Sequence, residues 1–488
     1  MLVPCLPTAR AARTVLGLLS LVLLTSPGRA ADVTYNGSIG TSVTHSDNLD
    51  QDPKGQESSG LVFTQDVGLA MRAVGARSDV AVNGTVKLDT TVGDQKEVNL
   101  RPEVVALGQT ELANGFLLLS GGMSWRREPL TPDAALSATT DLNSNDTTQV
   151  FNLNFNPTLR SRLGDYAKGE LRYRYARNFI ASDAVRETEI NQQVAVLQSD
   201  RPLYPYRLTL TGEHTTADKL GGDKLGSNGD LEQLSGSLRT EYAFSPRMAL
   251  IGIAGYDDIS GGAVDPDLGG AFGMVGLRYE PNSGTELEGT VGYRFGRPNV
   301  QALLRQRITG RIQAVVSYST FLELPLDAGS GADLTIDPET GQIVHAITRL
   351  PLSVNFPGLG LKDSASLTDR LDAALTGTFD RTTATLGVRW ERRDFATDPD
   401  ERLAAILLRL QRQLTSRLTF SLDSDFRRTE TAGDREPALS VLIRTGLNYE
   451  IGPSLYGYAA YARSQGFSGS REDKYVENAV MIGLRLTF

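Results

Sequence analysis

Cysteine is almost absent: the 488-residue chain holds one, Cys5. It precedes an apolar run, whereas the lipid-bearing cysteine of a lipoprotein follows that run. A single cysteine also leaves no disulfide to staple the fold. Histidine is nearly as scarce, at His45, His214 and His345. No H-E-x-x-H, C-x-x-C or G-x-S-x-G motif occurs, so the common routes to metal-assisted or nucleophilic catalysis are missing. No enzyme activity, metal or cofactor is expected. Basic residues (49) do not outnumber acidic ones (58), and the net charge of −9 excludes a nucleic-acid partner. Beyond residue 30, no apolar run is longer than residues 403–408. No such segment can cross a bilayer as a helix. A barrel strand needs only every second residue apolar, so a membrane barrel is not excluded.

What is present begins at the N-terminus. Arg10 and Arg13 precede an apolar run over residues 15–24, and Gly28 and Ala30 put small residues before a cleavage point after Ala30. This is the pattern of a secretory signal peptide, and the run is too short to span a bilayer. Residues 1–30 are therefore expected to leave, and residues 31–488 to form one domain. Their charge would be −12, since Arg10, Arg13 and Arg29 leave with the signal.

From residue 32 onward one texture repeats: stretches of roughly ten residues with alternating apolar and polar side chains, separated by turn residues. In 233–244, Leu234, Leu238, Tyr242 and Phe244 fall on one face, and Gln233, Ser235, Ser237, Arg239 and Glu241 on the other. In 286–295, Leu287, Val291, Tyr293 and Phe295 oppose Glu286, Glu288, Thr290 and Arg294. Similar alternation sets Leu171 and Tyr173 against Arg172 and Arg174, and Leu386 and Trp390 against Arg389. Leu418, Phe420, Leu422 and Phe426 oppose Asp423 in the same way, and Leu484 opposes Arg485.

Tight turns such as 74–78, 244–247, 379–382 and 450–454 alternate with longer connections such as 46–58, 127–146, 321–368 and 463–474. Short turns on one rim and long loops on the other are the asymmetry of outer-membrane barrels, with the short turns periplasmic. One connection, 296–299, is short where a long one is due. The fold class expected is an all-β, antiparallel transmembrane barrel of about 22 strands, within roughly 16–24. Phe244, Tyr279, Phe379 and Tyr449 mark one interfacial girdle, and Phe295, Trp390, Phe426 and Tyr461 the other. The last strand ends on Phe488, a terminal aromatic of the kind the barrel-assembly machinery reads. Lipid and lipopolysaccharide are the expected outer partners.

In such a barrel the apolar face meets lipid and the polar face lines the pore. The pore-lining set is Arg172, Arg174, Arg239, Glu241, Glu288, Arg294, Arg389, Asp423 and Arg485. Replacing Leu238 with Arg should cost roughly 2–4 kcal/mol near the midplane, and replacing Ser237 little. Equal tolerance at both positions in a refolding titration would show the register to be wrong.

A lumen this wide leaks unless something occupies it. The 321–368 connection is far longer than the others, and its acidic stretches are interrupted by apolar residues at 350–352 and 354–361. Long unstructured loops in compact folds are usually functional. It is expected to fold inward and to place Asp333, Asp337 and Glu339 in the pore. The alternative is a mobile external loop. The other long loops are acidic too, and their spacing matches no calcium motif. The stretch GGDKLGS at 221–227 lacks the ending of a phosphate loop. His214 is the one candidate for barrel-borne catalysis.

Residues 40–55, GTSVTHSDNLDQDPKG, resemble the opening of a family of β-barrel porins whose genes accompany exopolysaccharide or capsule operons. The first strand and the Asp47–Asn48 pair that follows it carry the likeness. The hairpins at 242–256 and 279–295 and the C-terminal strand share it. The resemblance implies the barrel fold and a conduit assisting surface-polysaccharide export, with export components as partners. It transfers no functional residue. Alternatives are a general diffusion porin or, further off, a barrel enzyme or adhesin. A siderophore-type receptor is set aside because strands begin at about residue 32, which leaves no room for a plug domain.

Overall fold

A strand buried on one face only must hide its polar edge groups by pairing, and closure into a barrel removes the last free edges. The computed structural model takes that route. It describes residues 32–488 apart from 93–96, 140–145, 183, 201–204, 221–229, 262–265, 325–333, 338–342, 347–358, 363, 397, 435 and 469–473. The proposed signal peptide lies outside the described residues.

Twenty-two strands form one sheet, each antiparallel to its sequence neighbour. The first strand, Asp32–Ser46, closes on the last, Val476–Thr487, from Ser38↔Thr487 to Ser46↔Ala479. Phe488 N donates to Gly37 O at 3.0 Å, and Phe488 O accepts from Gly37 N at 2.9 Å. With glycine at position 37 the Phe488 ring lies close over the first strand, where a Cβ would stand 2.4 Å from it. Among the described residues only two short 3-10 turns, Ala113–Gly115 and Pro266–Leu268, interrupt the all-β pattern.

The polarity of the wall is inverted relative to a water-soluble protein. On the Leu231–Ser245 strand, Leu238 is 44% exposed while Glu241 is 7% exposed. Leu171, Tyr173, Leu234, Val291, Leu386 and Leu484 are likewise exposed on the outward face, and Trp390 is half-buried. Asp66, Asp257, Thr290, Glu391 and Glu477 are buried inside. Apolar residues facing out around a closed barrel fit hydrocarbon and nothing else, which places the protein in the bacterial outer membrane. Tight turns at 75–77, 246–247, 380–381 and 453–454 share one rim with Phe488, and the long connections share the other.

The short 295–296 connection has a local explanation. Phe295 (φ 58°) and Gly296 (φ 68°) both lie in the left-handed region, the signature of a two-residue turn matched to strand twist. A phenylalanine there is strained. Its ring is not part of the lipid girdle: Phe295 is 6% exposed and belongs to an interior apolar cluster with Leu324 and Leu367. The turn rotates the side chain off the outward face that simple alternation assigns to it. The wall is notched beside this hairpin. Pairing between Arg297–Thr309 and Ile312–Glu323 stops at Ala302↔Tyr318, although both strands continue towards the outer rim. Arg297 bridges the notch to Asp369 (2.9 Å) and Asp394 (2.8 Å).

Candidate functional site

The polar face of the barrel lines the lumen, and among the described residues three chain segments from the long-loop rim enter it. The first is residues 130–139. Ala134, Leu136 and Ala138 are buried, and Leu136 and Ala138 pack on Leu442, Ala462 and Ala479, which point inward from the last three strands. A polar anchor holds it. Ala138 N donates to Glu477 Oε2 at 2.8 Å, and Ser46 Oγ donates to Glu477 Oε1 at 3.0 Å. Leu136 O accepts from Tyr475 Oη at 2.8 Å and also from Ser464 Oγ and Gln51 Nε2. Burial pushes the Tyr475 hydroxyl up to about 12, so it donates this bond at any physiological pH.

The second segment is a small hairpin inside the 321–368 connection, Leu334–Ile336 paired with Ile343–His345. Ile343 is buried against Ala81 and Val105, and Leu334, Ile336 and Leu107 flank them. Ala81 stands three residues from the start of the Ser78–Val92 strand, which begins at a periplasmic turn. A connection rooted at the extracellular rim thus reaches the periplasmic half of the lumen. Asp337 lies within electrostatic reach of Arg72, which is itself paired with Asp79 at 3.1 Å. Asp333 and Glu339 lie outside the described residues.

The third segment is residues 359–362. Leu359 packs on Leu403 and Ala405, and Leu361 on Val150 and Val185. Leu361 N donates to Pro129 O at 2.9 Å. A Cβ on Gly360 would meet the Thr131 backbone at 2.6 Å, so glycine lets this strap pass against the first segment. Beneath it runs a buried ionic chain. Arg370 bonds Glu323 (3.0 Å) and Glu391 (2.9 Å), Arg393 bonds the same two carboxylates (3.0 Å each), and Lys362 bonds Glu401 (3.0 Å). Arg393 also donates to Gly360 O at 3.0 Å. Each charge has a partner, as burial demands.

The residues expected from sequence to line the pore are distributed around the wall as ion pairs rather than gathered at one point. Arg239 bonds Glu241 at 2.9 Å and Glu288 at 3.0 Å, and Glu241 also meets Arg278 at 2.8 Å. Arg294 bonds Asp257 at 2.7 Å, Arg389 bonds Asp372 at 2.7 Å, and Arg485 reaches Asp66 at 3.3 Å. Asp423 meets Arg409 at 3.5 Å, and Arg172 pairs with Glu170 two residues away. Arg174 stands on the same strand face as Arg172 and has a partner of its own. Sequence reasoning missed the countercharges Asp66, Asp257, Asp372 and Arg278. Asp372 sits on the strand next to Arg389, but Asp66, Asp257 and Arg278 each lie two strands from their partners, across a strand whose tilt and stagger alternation alone does not reveal.

The histidines do not build a catalytic constellation. His45 is exposed on the outward face of the first strand, His214 bonds Glu232 at 2.9 Å, and His345 ends the inner hairpin.

No family model matches the chain, and no curated protein matches its sequence. Among solved structures it is similar to the siderophore receptor PirA from Pseudomonas aeruginosa, at 12% identity and a TM-score of 0.44. That match covers 94% of this chain and 81% of the receptor. The FrpB iron transporter from Neisseria meningitidis matches at 11% identity and a TM-score of 0.45, over 93% and 82% of the two chains. The ferric enterobactin receptor PfeA matches at 12% identity and a TM-score of 0.44, over 94% and 82%. These are likenesses of fold. The strand pairing itself defines the class: a closed, 22-stranded outer-membrane β-barrel.

Proposed function

We propose that this protein is a gated outer-membrane conduit for a hydrophilic cargo, occluded by its own extracellular loops. The observation that carries the reading is the pair of strands Leu334–Ile336 and Ile343–His345, seated on Ala81 and Val105 deep in the lumen. A loop that served only the cell surface gains nothing from crossing the pore. Replacing residues 325–358 with a short turn should raise single-channel conductance in planar bilayers several-fold without unfolding the barrel. Unchanged conductance and ion selectivity would sink the gate.

The sharper form of this reading is assistance in surface-polysaccharide export, and it rests on the likeness at residues 40–55. Deletion of the gene should then lower cell-surface polymer and leave small-solute uptake intact. A general diffusion porin gives the reverse result. In this reading the ion pairs of the wall line the conduit, lipopolysaccharide surrounds its outer half, export components dock at its rims, and the strand ending at Phe488 is the assembly signal.

A further inference from the structure

The extracellular end of the lumen holds a cavity of about 450 Å³, a size typical of small-molecule sites. Its lining includes Asp50 and Asp133, which are exposed, Asp52 and Asp146, which are half-buried, and the buried Arg427, Thr429 and Tyr475, so the aspartates form the more open side, its rim. Arg427 is the unusual member. It is 4% exposed, yet it forms no ion pair among the described residues, and its Nε has no hydrogen-bond partner. Its one hydrogen bond among them is a long one, from Nη1 to Ala134 O at 3.4 Å. The carboxylate two residues along its strand is engaged elsewhere, since Asp425 accepts from Arg409 Nη2 at 2.9 Å on each oxygen. Every other cation of the nearby ionic chain is matched to a carboxylate. A buried guanidinium without a countercharge is costly, and a fold keeps one where a ligand supplies the missing anion.

We infer that this cavity is a binding site for a hydroxylated monocarboxylate, an acidic sugar of the uronic type. Arginine recognises a carboxylate through a planar fork of donors. The four rim aspartates repel a polyanion such as phosphate, while they accept hydrogen bonds from hydroxyl groups. Thr429 and Tyr475 add further polar contacts along the wall. One negative charge at the floor and several hydroxyls at the rim is the pattern of a sugar acid. The site rests on Arg427 and the rim, not on the conduit reading, so binding can fail or succeed independently of gating.

The test is isothermal titration of the full-length barrel in detergent micelles with D-glucuronate, D-glucose and inorganic phosphate. Glucuronate should bind, with glucose and phosphate each weaker by at least about tenfold. Arg427→Gln should weaken glucuronate by about tenfold or more and leave glucose unchanged, while Arg427→Lys should recover part of the loss. Thermal unfolding guards against trivial misfolding: an uncompensated buried charge is removed, so Arg427→Gln should melt no lower than the parent. The inference is overturned by absent glucuronate binding, by phosphate binding as well as glucuronate, or by a variant that binds glucuronate undiminished. A melting temperature that falls on substitution would make Arg427 a structural group and overturn it as well.

Discussion

Two segments enter the same lumen and are held there in different ways. Residues 130–139 are fixed by directed bonds: Leu136 O takes three donors, and Glu477 takes the Ala138 amide and the Ser46 hydroxyl. The inner hairpin, Leu334–Ile336 with Ile343–His345, rests on a small apolar patch, Ala81 and Val105 with Leu107 beside them, and on the field between Asp337 and Arg72. Buried directed bonds are lost all at once, because breaking one leaves an unsatisfied group. A small apolar contact between preformed surfaces can part and close again without that penalty. The first segment is built as wall, and the second as a moving part.

A covalent lock gives the largest test of that contrast. Cys5 is the one native cysteine, so an introduced pair reports cleanly. Ala81→Cys with Ile343→Cys joins two residues of one cluster. Oxidation should hold conductance at its lowest level, and reduction should restore openings. If oxidised and reduced channels conduct alike, the hairpin does not gate. A matching pair at Ala138 and Ala462, within the fixed segment's cluster, should change nothing on oxidation.

Glu477→Ala tests the other side. It strips the acceptor from the Ala138 amide and the Ser46 hydroxyl, both buried. Leaving such groups unsatisfied costs about 1–3 kcal/mol. Denaturant unfolding should register that loss, and protease should cut within 130–139 in the variant only. A variant as stable as the parent and still protected would show that the segment is held by packing alone.

The sequence carried these two segments unequally. Period-two alternation sufficed for strands, faces and the strand number, because a one-residue slip reverses a whole strand. Length and the apolar residues near Leu359 and Leu361 pointed the 321–368 connection inward, and both leucines do pack against the wall. Nothing comparable marked residues 130–139. Residues 134–138 read AALSA, small side chains around one leucine with no period-two alternation. Their inward packing depends on Glu477 and Tyr475, more than 300 residues away in the chain. Phe295 was misplaced for a different reason, since alternation holds only while φ stays extended. Arg427 was invisible, because an unpaired charge is recognised by the partner it lacks, and partners come from neighbouring strands.

The smallest effect separates charge from packing in the moving part. Asp337 sits at the end of the Leu334–Ile336 arm, within reach of Arg72, whose guanidinium already holds Asp79 at 3.1 Å. The Arg72 side chain is a quarter exposed, so solvent screens the attraction. An attraction at that range to a partly exposed charge contributes less than about 1 kcal/mol. Asp337→Asn should therefore leave the melting temperature where it is. What it should change is salt dependence. In the parent, raising salt weakens the Asp337–Arg72 attraction while leaving the apolar patch intact, so openings should become modestly more frequent beyond the rise in conductivity. In the variant that dependence should flatten, because the charge being screened is gone. If both channels respond to salt identically, Asp337 plays no part in docking and the apolar patch alone seats the hairpin. If the variant instead stays open at every salt concentration, the ranking of the two forces is reversed, and the Asp337–Arg72 attraction, not Ile343, is the latch.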